Sequence, residues 1–317
     1  MSSIGPSDAA DAADAADAAD AAGISITGMS TGSRRPIGLS PELTRIIPSD
    51  MNSLWSTAKW PPLQSGAWGE ASNQARFPRR AWSPRHLAMA VLSEFIQQTE
   101  PASGPANPAY TWKDIVLPAF PTDAAATAEL NELIQLIPYR SDVLAEALAQ
   151  RSGILRYWSG LLMFNRSSHP RTWELGSIAI QIGQFQAMHY KYKNNRPRPS
   201  QLSNRIMPPI DPPGHASYPS GHATEAYLVS GALGLVMPLN DPAAPPPGSL
   251  ERLADRIARH REVLGLHYRS DSTAGKLLAQ KSLALLRRCT TVQQIIAAAI
   301  PEWTNNVNYP LNTNAFP

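Results

Sequence analysis

Three short blocks between residues 191 and 271 concentrate side chains that bind oxyanions or transfer protons. The first block, residues 191–199, reads Lys-Tyr-Lys-Asn-Asn-Arg-Pro-Arg-Pro, and we expect Lys191 to lie in the last turn of a helix. Arg198 stands between two prolines, so its backbone is stiff and its guanidinium is presented from a fixed loop. Taken alone, the block also fits a basic helix end that complements the helix dipole.

The second block, residues 217–224, reads Ser-Tyr-Pro-Ser-Gly-His-Ala-Thr and precedes an apolar run. This pattern predicts a helix that begins after Ser220, with Ser220 as its N-cap. The amides of Gly221 and His222 would then lie at a helix N-terminus, which attracts anions. His222 would stand in the first turn beside a bound anion. The alternative is a plain capped helix with a surface histidine.

The third block runs from Arg261 to Asp271. His267 and Asp271 are four residues apart, which predicts that they share one face of a helix. The carboxylate would then fix the tautomer of the imidazole and prepare His267 as a nucleophile or a ligand. Arg261 adds a bidentate donor for an oxyanion. A helix that carries polar pairs without a catalytic role is the alternative for this block.

Together, the blocks supply cations, a hydroxyl group, helix-start amides and two histidines. This set suits a tetrahedral oxyanion that becomes five-coordinate when a histidine attacks it. The sequence has no His-Glu-x-x-His pattern and no Asp-rich cluster suited to magnesium, so no metal ligand set competes with this interpretation.

In order and internal spacing, the blocks resemble the type 2 phosphatidic acid phosphatase/vanadium-dependent haloperoxidase superfamily. The resemblance covers residues 191–271, about a quarter of the chain, and follows Lys-x6-Arg-Pro, Pro-Ser-Gly-His and Arg-x5-His-x3-Asp. It implies a mainly α fold, a helical bundle of the acid phosphatase/vanadium haloperoxidase type. One departure is His260, which stands where the superfamily usually has a serine before the arginine.

The resemblance also implies a role for each residue of the site. The residues that would hold the oxyanion are Lys191, Arg198, Ser220, Gly221 and Arg261. His222 would be the acid–base, His267 would bond to phosphorus or to vanadium, and Asp271 would orient His267. The implied vanadium ligand, when vanadate is the cofactor, is therefore His267.

The same oxyanion-binding residues (Lys191, Arg198, Ser220, Gly221 and Arg261) serve two chemistries in this superfamily. In a vanadium-dependent haloperoxidase, hydrogen peroxide oxidises a halide such as bromide or iodide. In a metal-independent acid phosphatase, His267 attacks a phosphomonoester and forms a phosphohistidine, which water hydrolyses.

Two observations bear on the choice between these functions. His215 resembles the second active-site histidine of vanadium bromoperoxidases and favours the haloperoxidase, although it also fits a loop histidine near the surface. The 38 residues between His222 and Arg261 are fewer than in fungal and algal haloperoxidases, which favours the phosphatase. The haloperoxidase is our first hypothesis.

Composition limits the other classes. The 317-residue chain has 43% apolar residues, 30 prolines and one cysteine, which excludes wholesale disorder, a disulfide framework and a Cys-cluster metal site.

Charge is distributed unevenly along the chain. Residues 1–22 carry five Asp and no Lys or Arg, so residues 23–317 hold 28 basic against 20 acidic residues. A binding protein for nucleic acid or another anion is a minor alternative, suggested by this basic body and by an arginine cluster near Trp82. We nevertheless expect no nucleic-acid partner, since charged runs are usually solvated. The cluster comprises Arg76, Arg79, Arg80 and Arg85.

We expect neither a membrane span nor an export signal. The longest nearly apolar stretch, residues 227–239, has 13 residues, whereas a membrane-spanning helix needs roughly 18–20. The N-terminus is acidic where a signal peptide would be basic. We therefore expect a soluble, cytoplasmic protein with no membrane span. The sequence allows a homodimer but indicates no face for it.

The elements that must position the blocks are helices, because apolar residues recur at helical spacing from about residue 85 onward. We predict a disordered acidic Asp-Ala-Ala tail (1–22), an irregular wrapping segment (23–84) and a single helical catalytic domain (85–317). Proline-rich connectors at 197–219 and 242–248 should interrupt the helices. The helices predicted around the blocks are 154–164, 173–191, 221–236, 250–266, 271–286 and 291–300.

Overall fold

The computed structural model describes residues 82–151, 153–237 and 248–304, and these residues are mainly helical. The predicted mainly α fold class is confirmed. The helices are α1 (Pro84–Phe95), α2 (Asp123–Gln135), α3 (Arg140–Arg151), α4 (Ile154–Leu162), α5 (Pro170–Asn194), α6 (Pro199–Leu202), α7 (Gly221–Leu233), α8 (Ser249–Val263), α9 (Arg269–Leu286) and α10 (Thr290–Thr304). A 3-10 turn (Ile137–Tyr139) joins α2 to α3. The short strands β1 (Thr99–Glu100) and β2 (Tyr110–Thr111) pair antiparallel, with Thr99 opposite Thr111.

Several predictions fall on residues outside the described ranges. These are the tail at 1–22, nearly all of the wrapping segment at 23–84, and the connector at 242–248 except for its last residue. The arginine cluster lies there too, apart from Arg85. The division into three parts therefore stays a prediction.

The helices predicted around the blocks are present with shifted ends. The helix predicted at 173–191 extends from Pro170 to Asn194, and proline at its first position suits a helix start because the missing N–H would have no intrahelical acceptor there. The proline-rich connector 197–219 contains the four-residue helix α6. Across the described ranges, no helix combines the length and the apolar character needed to cross a bilayer.

Helix α7 lies at the centre of the bundle. It packs against α5, α8 and α9, while α1 and α10 pack against α5. A helix that is apolar on nearly every side has to be enclosed by others, and α7 follows this rule. Its buried residues are Ala223, Thr224, Ala226, Leu228, Val229, Ser230, Ala232 and Leu233.

Glycines allow α5 and α9 to approach α7 closely. A Cβ atom at Gly183 of α5 would lie 3.1 Å from the Cα atom of Glu225. A Cβ atom at Gly275 of α9 would lie 2.8 Å from the carbonyl oxygen of Ser220. A larger residue at Gly275 would therefore push α9 away from the start of α7, where the second block lies.

Two small apolar clusters hold the turn that carries His267. In one cluster, Leu133 of α2 packs with Tyr268. In the other, Ala147 of α3 packs with Leu266. Residues on both sides of His267 are thus buried against helices that precede it by more than a hundred positions in the chain.

Candidate active site

The first block contributes two buried cations. Lys191 lies in the last turn of α5, and its ammonium donates to the carbonyl oxygens of Ala216 at 2.8 Å and Ser217 at 3.0 Å. Arg198 is the N-cap of α6, and its Nη1 donates to Nε2 of His267 at 3.2 Å. The same Nη1 atom donates to the carbonyl oxygen of Leu266 at 3.0 Å. These bonds attach both cations to the segments that carry the second and third blocks.

The second block forms the start of α7. Ser220 is its N-cap, as the sequence pattern predicts, and Oγ accepts a hydrogen bond from the N–H of Ala223 at 3.4 Å. Gly221 leaves room beside Lys191, because a Cβ atom at Gly221 would lie 3.7 Å from Cε of that lysine. The first amides of α7 therefore lie close to an ammonium group, and this combination attracts an anion.

The structure corrects the predicted helical geometry of His267 and Asp271. Gly265 has a φ angle of +73°, which turns the chain after α8, and α9 begins only at Arg269. His267 thus precedes the helix, while Asp271 lies in its first turn. Oδ2 of Asp271 accepts hydrogen bonds from the N–H of Tyr268 at 3.1 Å and from Nδ1 of His267 at 3.0 Å. The expected contact is present, but a capping turn produces it, not a shared helical face.

Two partners select the tautomer of His267. An ionised Asp271 can only accept hydrogen bonds, so Nδ1 of His267 carries the proton. Arg198 can only donate, so Nε2 presents its lone pair to the guanidinium. The position of the ring proton is thus assigned from the hydrogen-bonding capacity of Asp271 and Arg198. The nitrogen that can attack or coordinate therefore points toward the cations.

Burial and neighbouring cations both favour the neutral form of the two block histidines. Burial is the largest cause that lowers the pKa of His267 well below its usual value, and the charges of Arg198 and Lys191 lower it further. Burial also comes first among the causes that lower the pKa of His222, followed by the charge of Arg261. The two histidines and the three cations thus share one electrostatic environment.

Binding of an oxyanion should be coupled to proton uptake at this site. The negative charge of the bound oxyanion offsets the positive charges of the cations. Binding should therefore raise the pKa values of His222 and His267 from their lowered values. The complex then holds more protons than the free protein, and affinity should rise as pH falls from about 8 to about 6 by up to tenfold per unit for each proton taken up. Sulfate is a suitable probe because it does not titrate in this range.

Isothermal titration calorimetry with sulfate checks this expectation. Buffers with different ionisation enthalpies should give different apparent binding enthalpies near neutral pH, and the difference gives the number of protons taken up. His222→Asn should reduce that number, whereas His86→Asn, at the exposed start of α1, should not. A buffer-independent enthalpy together with a pH-independent affinity would contradict the coupling.

Arg261 reaches the site from α8 and is anchored on α3. Its Nη2 donates to the carbonyl oxygen of Ala147 at 2.5 Å and to Oε1 of Gln150 at 3.4 Å. The same amide oxygen lies 3.1 Å from Nδ1 of His260, the residue that departs from the superfamily pattern. His260 therefore contacts a residue that holds Arg261, and its pKa is lowered by burial. The histidine at position 260 thus shares the amide oxygen of Gln150 with Arg261.

The structure brings His215 together with Arg198. Nη2 of Arg198 donates to Nδ1 of His215 at 2.9 Å, and Nε donates to the carbonyl oxygen of His215 at 3.0 Å. His215 is partly buried, and its charge contributes to the lowered pKa values of His222 and His267. His215 is therefore a direct partner of Arg198.

Sequence reasoning missed four residues that form hydrogen bonds with side chains of the blocks: Gln150, Ser217, Arg196 and Glu129. Ser217 donates a hydrogen bond to Oδ2 of Asp271 at 2.5 Å, and Arg196 donates to Oδ1 at 2.7 Å. Both stand inside the quoted blocks, so their sequence position was the available signal. Gln150 and Glu129 lie far from the blocks in the chain and carry no local signal.

A cleft with a volume of about 950 Å³ opens between the first block and residues 212–216. Lys191, Arg198 and His215 line it, together with Tyr192, whose side chain is almost fully exposed. No acidic side chain is found among the described residues that line the cleft. The other lining residues are Met188, Asn195, Arg196, Pro197, Ser200, Gln201, Pro212, Pro213, Gly214 and Ala216.

Comparison with known proteins reveals a distant structural likeness. No family model matches the chain, and no curated protein matches it. The chain is similar to a solved structure described as the first bacterial vanadium-dependent iodoperoxidase. The TM-score is 0.41 at 18% sequence identity, and the match covers 61% of this chain and 59% of that chain, which is less than two thirds of the iodoperoxidase. The roles proposed for the site residues rest on their own geometry.

Proposed function

We propose that the protein is an enzyme with a tetrahedral oxyanion site and that it acts as a vanadium-dependent haloperoxidase. One observation carries the proposal: the Nε2 lone pair of His267 is oriented by Asp271 toward the buried guanidinium of Arg198. A neutral imidazole among cations is suited to bond to the central atom of an oxyanion. The two remaining cations of the blocks, Lys191 and Arg261, influence the same imidazole.

The residues of the site fit vanadate as the cofactor. The buried cations Lys191, Arg198 and Arg261 would balance its negative charge, and the Ser220 hydroxyl with the first amides of α7 would bind its oxygens. Nε2 of His267 would be the ligand to vanadium. When bound, vanadate supplies a Lewis-acidic centre at which hydrogen peroxide can oxidise a halide.

His222 is the proton-transfer group of this proposal. Burial favours its neutral form and a bound anion favours its protonated form, so it can accept a proton from hydrogen peroxide and return it to the departing oxygen. The overall reaction converts hydrogen peroxide, a halide ion and one proton into a hypohalous acid and water. The contact between His215 and Arg198 supports this reading, because the resemblance assigns a second histidine to bromoperoxidases.

The cleft favours a second candidate function, a metal-independent acid phosphatase. A halide ion does not need a volume of about 950 Å³, whereas the organic part of a phosphomonoester would occupy it beside Lys191 and Arg198. Nε2 of His267 would attack phosphorus while protonated His222 donates a proton to the leaving oxygen. Water would then cleave the phosphorus–nitrogen bond and release phosphate and the free imidazole.

A paired assay on the full chain distinguishes the two functions. The protein, freed of metals with a chelator, is assayed for hydrolysis of p-nitrophenyl phosphate. It is then supplied with orthovanadate, hydrogen peroxide and bromide or iodide, and halogenation of monochlorodimedone or formation of triiodide is measured. We expect halide oxidation that requires vanadate. Hydrolysis without vanadate-dependent halide oxidation would instead support the phosphatase, and a folded protein with neither activity would contradict both.

A further inference from the structure

We propose that Arg196 is a positioning residue that holds Asp271 in the orientation required by His267. The inference rests on the proposed function, in which His267 and Asp271 act as a pair. Arg196 lies two residues before Arg198, at a position where Lys-x6-Arg-Pro specifies no residue type, and is 3% exposed. Arg196 differs from the cations that would hold the oxyanion, because its guanidinium binds carboxylates of the protein.

The two oxygens of Asp271 have different partners. Oδ2 accepts from Nδ1 of His267 at 3.0 Å, from the Ser217 hydroxyl at 2.5 Å and from the Tyr268 N–H at 3.1 Å. Oδ1 accepts from Nη1 of Arg196 at 2.7 Å. A carboxylate with partners on both oxygens cannot rotate without breaking bonds, so Arg196 fixes the plane of the Asp271 carboxylate. That plane determines how well Oδ2 meets the imidazole.

Arg196 is itself held from two other sides. Its Nη2 donates to Oε2 of Glu129 in α2 at 2.8 Å. Its guanidinium carbon lies 3.6 Å from the ring centroid of Tyr268, which directly follows His267. A planar fork that binds one carboxylate on each terminal nitrogen and stacks on a ring is a geometry that lysine cannot reproduce.

Glu129 connects this arrangement to the start of α9. Its Oε1 accepts from the N–H of Ser270 and its Oε2 from the Ser270 hydroxyl, both at 2.8 Å. Arg196 also donates to that hydroxyl at 2.7 Å. Glu129 keeps its bonds to Ser270 when Arg196 is changed, so the start of α9 retains a partner in an Arg196 variant.

Loss of the guanidinium should therefore act on His267 through Asp271. With Oδ1 released, the carboxylate can turn, and part of the population should place the ring proton on Nε2. A protonated Nε2 can neither attack nor coordinate. Residues that orient a histidine ligand in this way typically change activity or affinity by about 10- to 100-fold.

The test compares Arg196→Gln and Arg196→Lys with the wild type. Nitrogen-15 histidine spectra, assigned with a His267→Asn variant, report which ring nitrogen of His267 carries the proton. We expect the Nδ1–H form in the wild type and a mixture in both variants, with kcat lowered about 10- to 100-fold and KM changed by less than about threefold. Arg171→Gln is the matched control, since it removes an Arg–Glu ion pair of 2.7 Å at the opposite end of α5.

A folded Arg196→Gln protein that keeps a single Nδ1–H tautomer would overturn the inference. If Arg196→Gln does not fold, Arg196→Lys decides in the same way, because it keeps the charge but not the fork. The spectra do not depend on turnover. An inactive wild type would therefore count against the proposed function, while an unchanged variant spectrum would count against the role of Arg196.

Discussion

Replacement of His267 by alanine should abolish both candidate reactions, with a fall in kcat of at least about 1,000-fold. Nε2 of His267 is the nitrogen that the surroundings prepare for attack or coordination, and alanine offers no substitute. Activity is measured by the paired assay, and thermal unfolding verifies that the variant is folded.

His189→Ala provides the matched control for this change. His189 lies on α5 two residues before Lys191, and its ring packs against Trp112 with centroids 4.9 Å apart. Burial lowers its pKa as well, and His189 lies outside the positions assigned to the oxyanion, the proton transfer and the nucleophile or ligand. The control should keep its activity within about threefold of the wild type. A His267→Ala protein that retains a tenth of the wild-type rate would contradict the assigned nucleophile or ligand.

Replacement of Asp271 by asparagine should lower kcat about 100- to 10,000-fold, since the corresponding change in a Ser-His-Asp triad has an effect at the upper end of this range. An amide whose oxygen faces His267 places its NH2 group against the guanidinium of Arg196, so two donors meet. The opposite orientation places the NH2 group against Nδ1 of His267 and the N–H of Tyr268. Either orientation disturbs the tautomer or leaves a buried donor unsatisfied.

The outcome is measured as kcat in the paired assay, together with the histidine spectra. Asp255→Asn is a suitable control, because it changes a half-exposed carboxylate that lies 3.7 Å from Lys276 and outside the site. Unfolding of the Asp271→Asn protein should become easier by about 1–3 kcal/mol, the usual cost of an unsatisfied buried group. A folded variant within tenfold of the wild-type rate would show that the carboxylate does not control His267.

Local sequence patterns predicted the helices well. The start of α7 at Gly221 and its cap at Ser220 agree with the structure, because proline, a capping hydroxyl and a following apolar run act within a few residues. The prediction that His267 and Asp271 share a helix was wrong, since spacing alone does not reveal the turn at Gly265. A four-residue separation is compatible with a helix and with a capping turn.

Local sequence patterns did not predict the contacts that hold Arg261 and Arg196 in place. Gln150 contacts Arg261 from a helix more than a hundred residues earlier. Glu129 contacts Arg196 across 67 residues. These contacts form because α2 and α3 bury apolar stripes against the turn around His267. Periodicity predicts such stripes but does not identify the surface that they cover.

The sequence by itself determined which chemical groups the protein can bring to an oxyanion: three cations, a capping serine and two histidines at informative spacing. Residue type and local backbone preference are enough for that conclusion. Only the tertiary structure decided which nitrogen of His267 is available. That choice depends on Asp271 and Arg198, which lie on different segments, and hydrogen-bond direction between distant segments is set by packing.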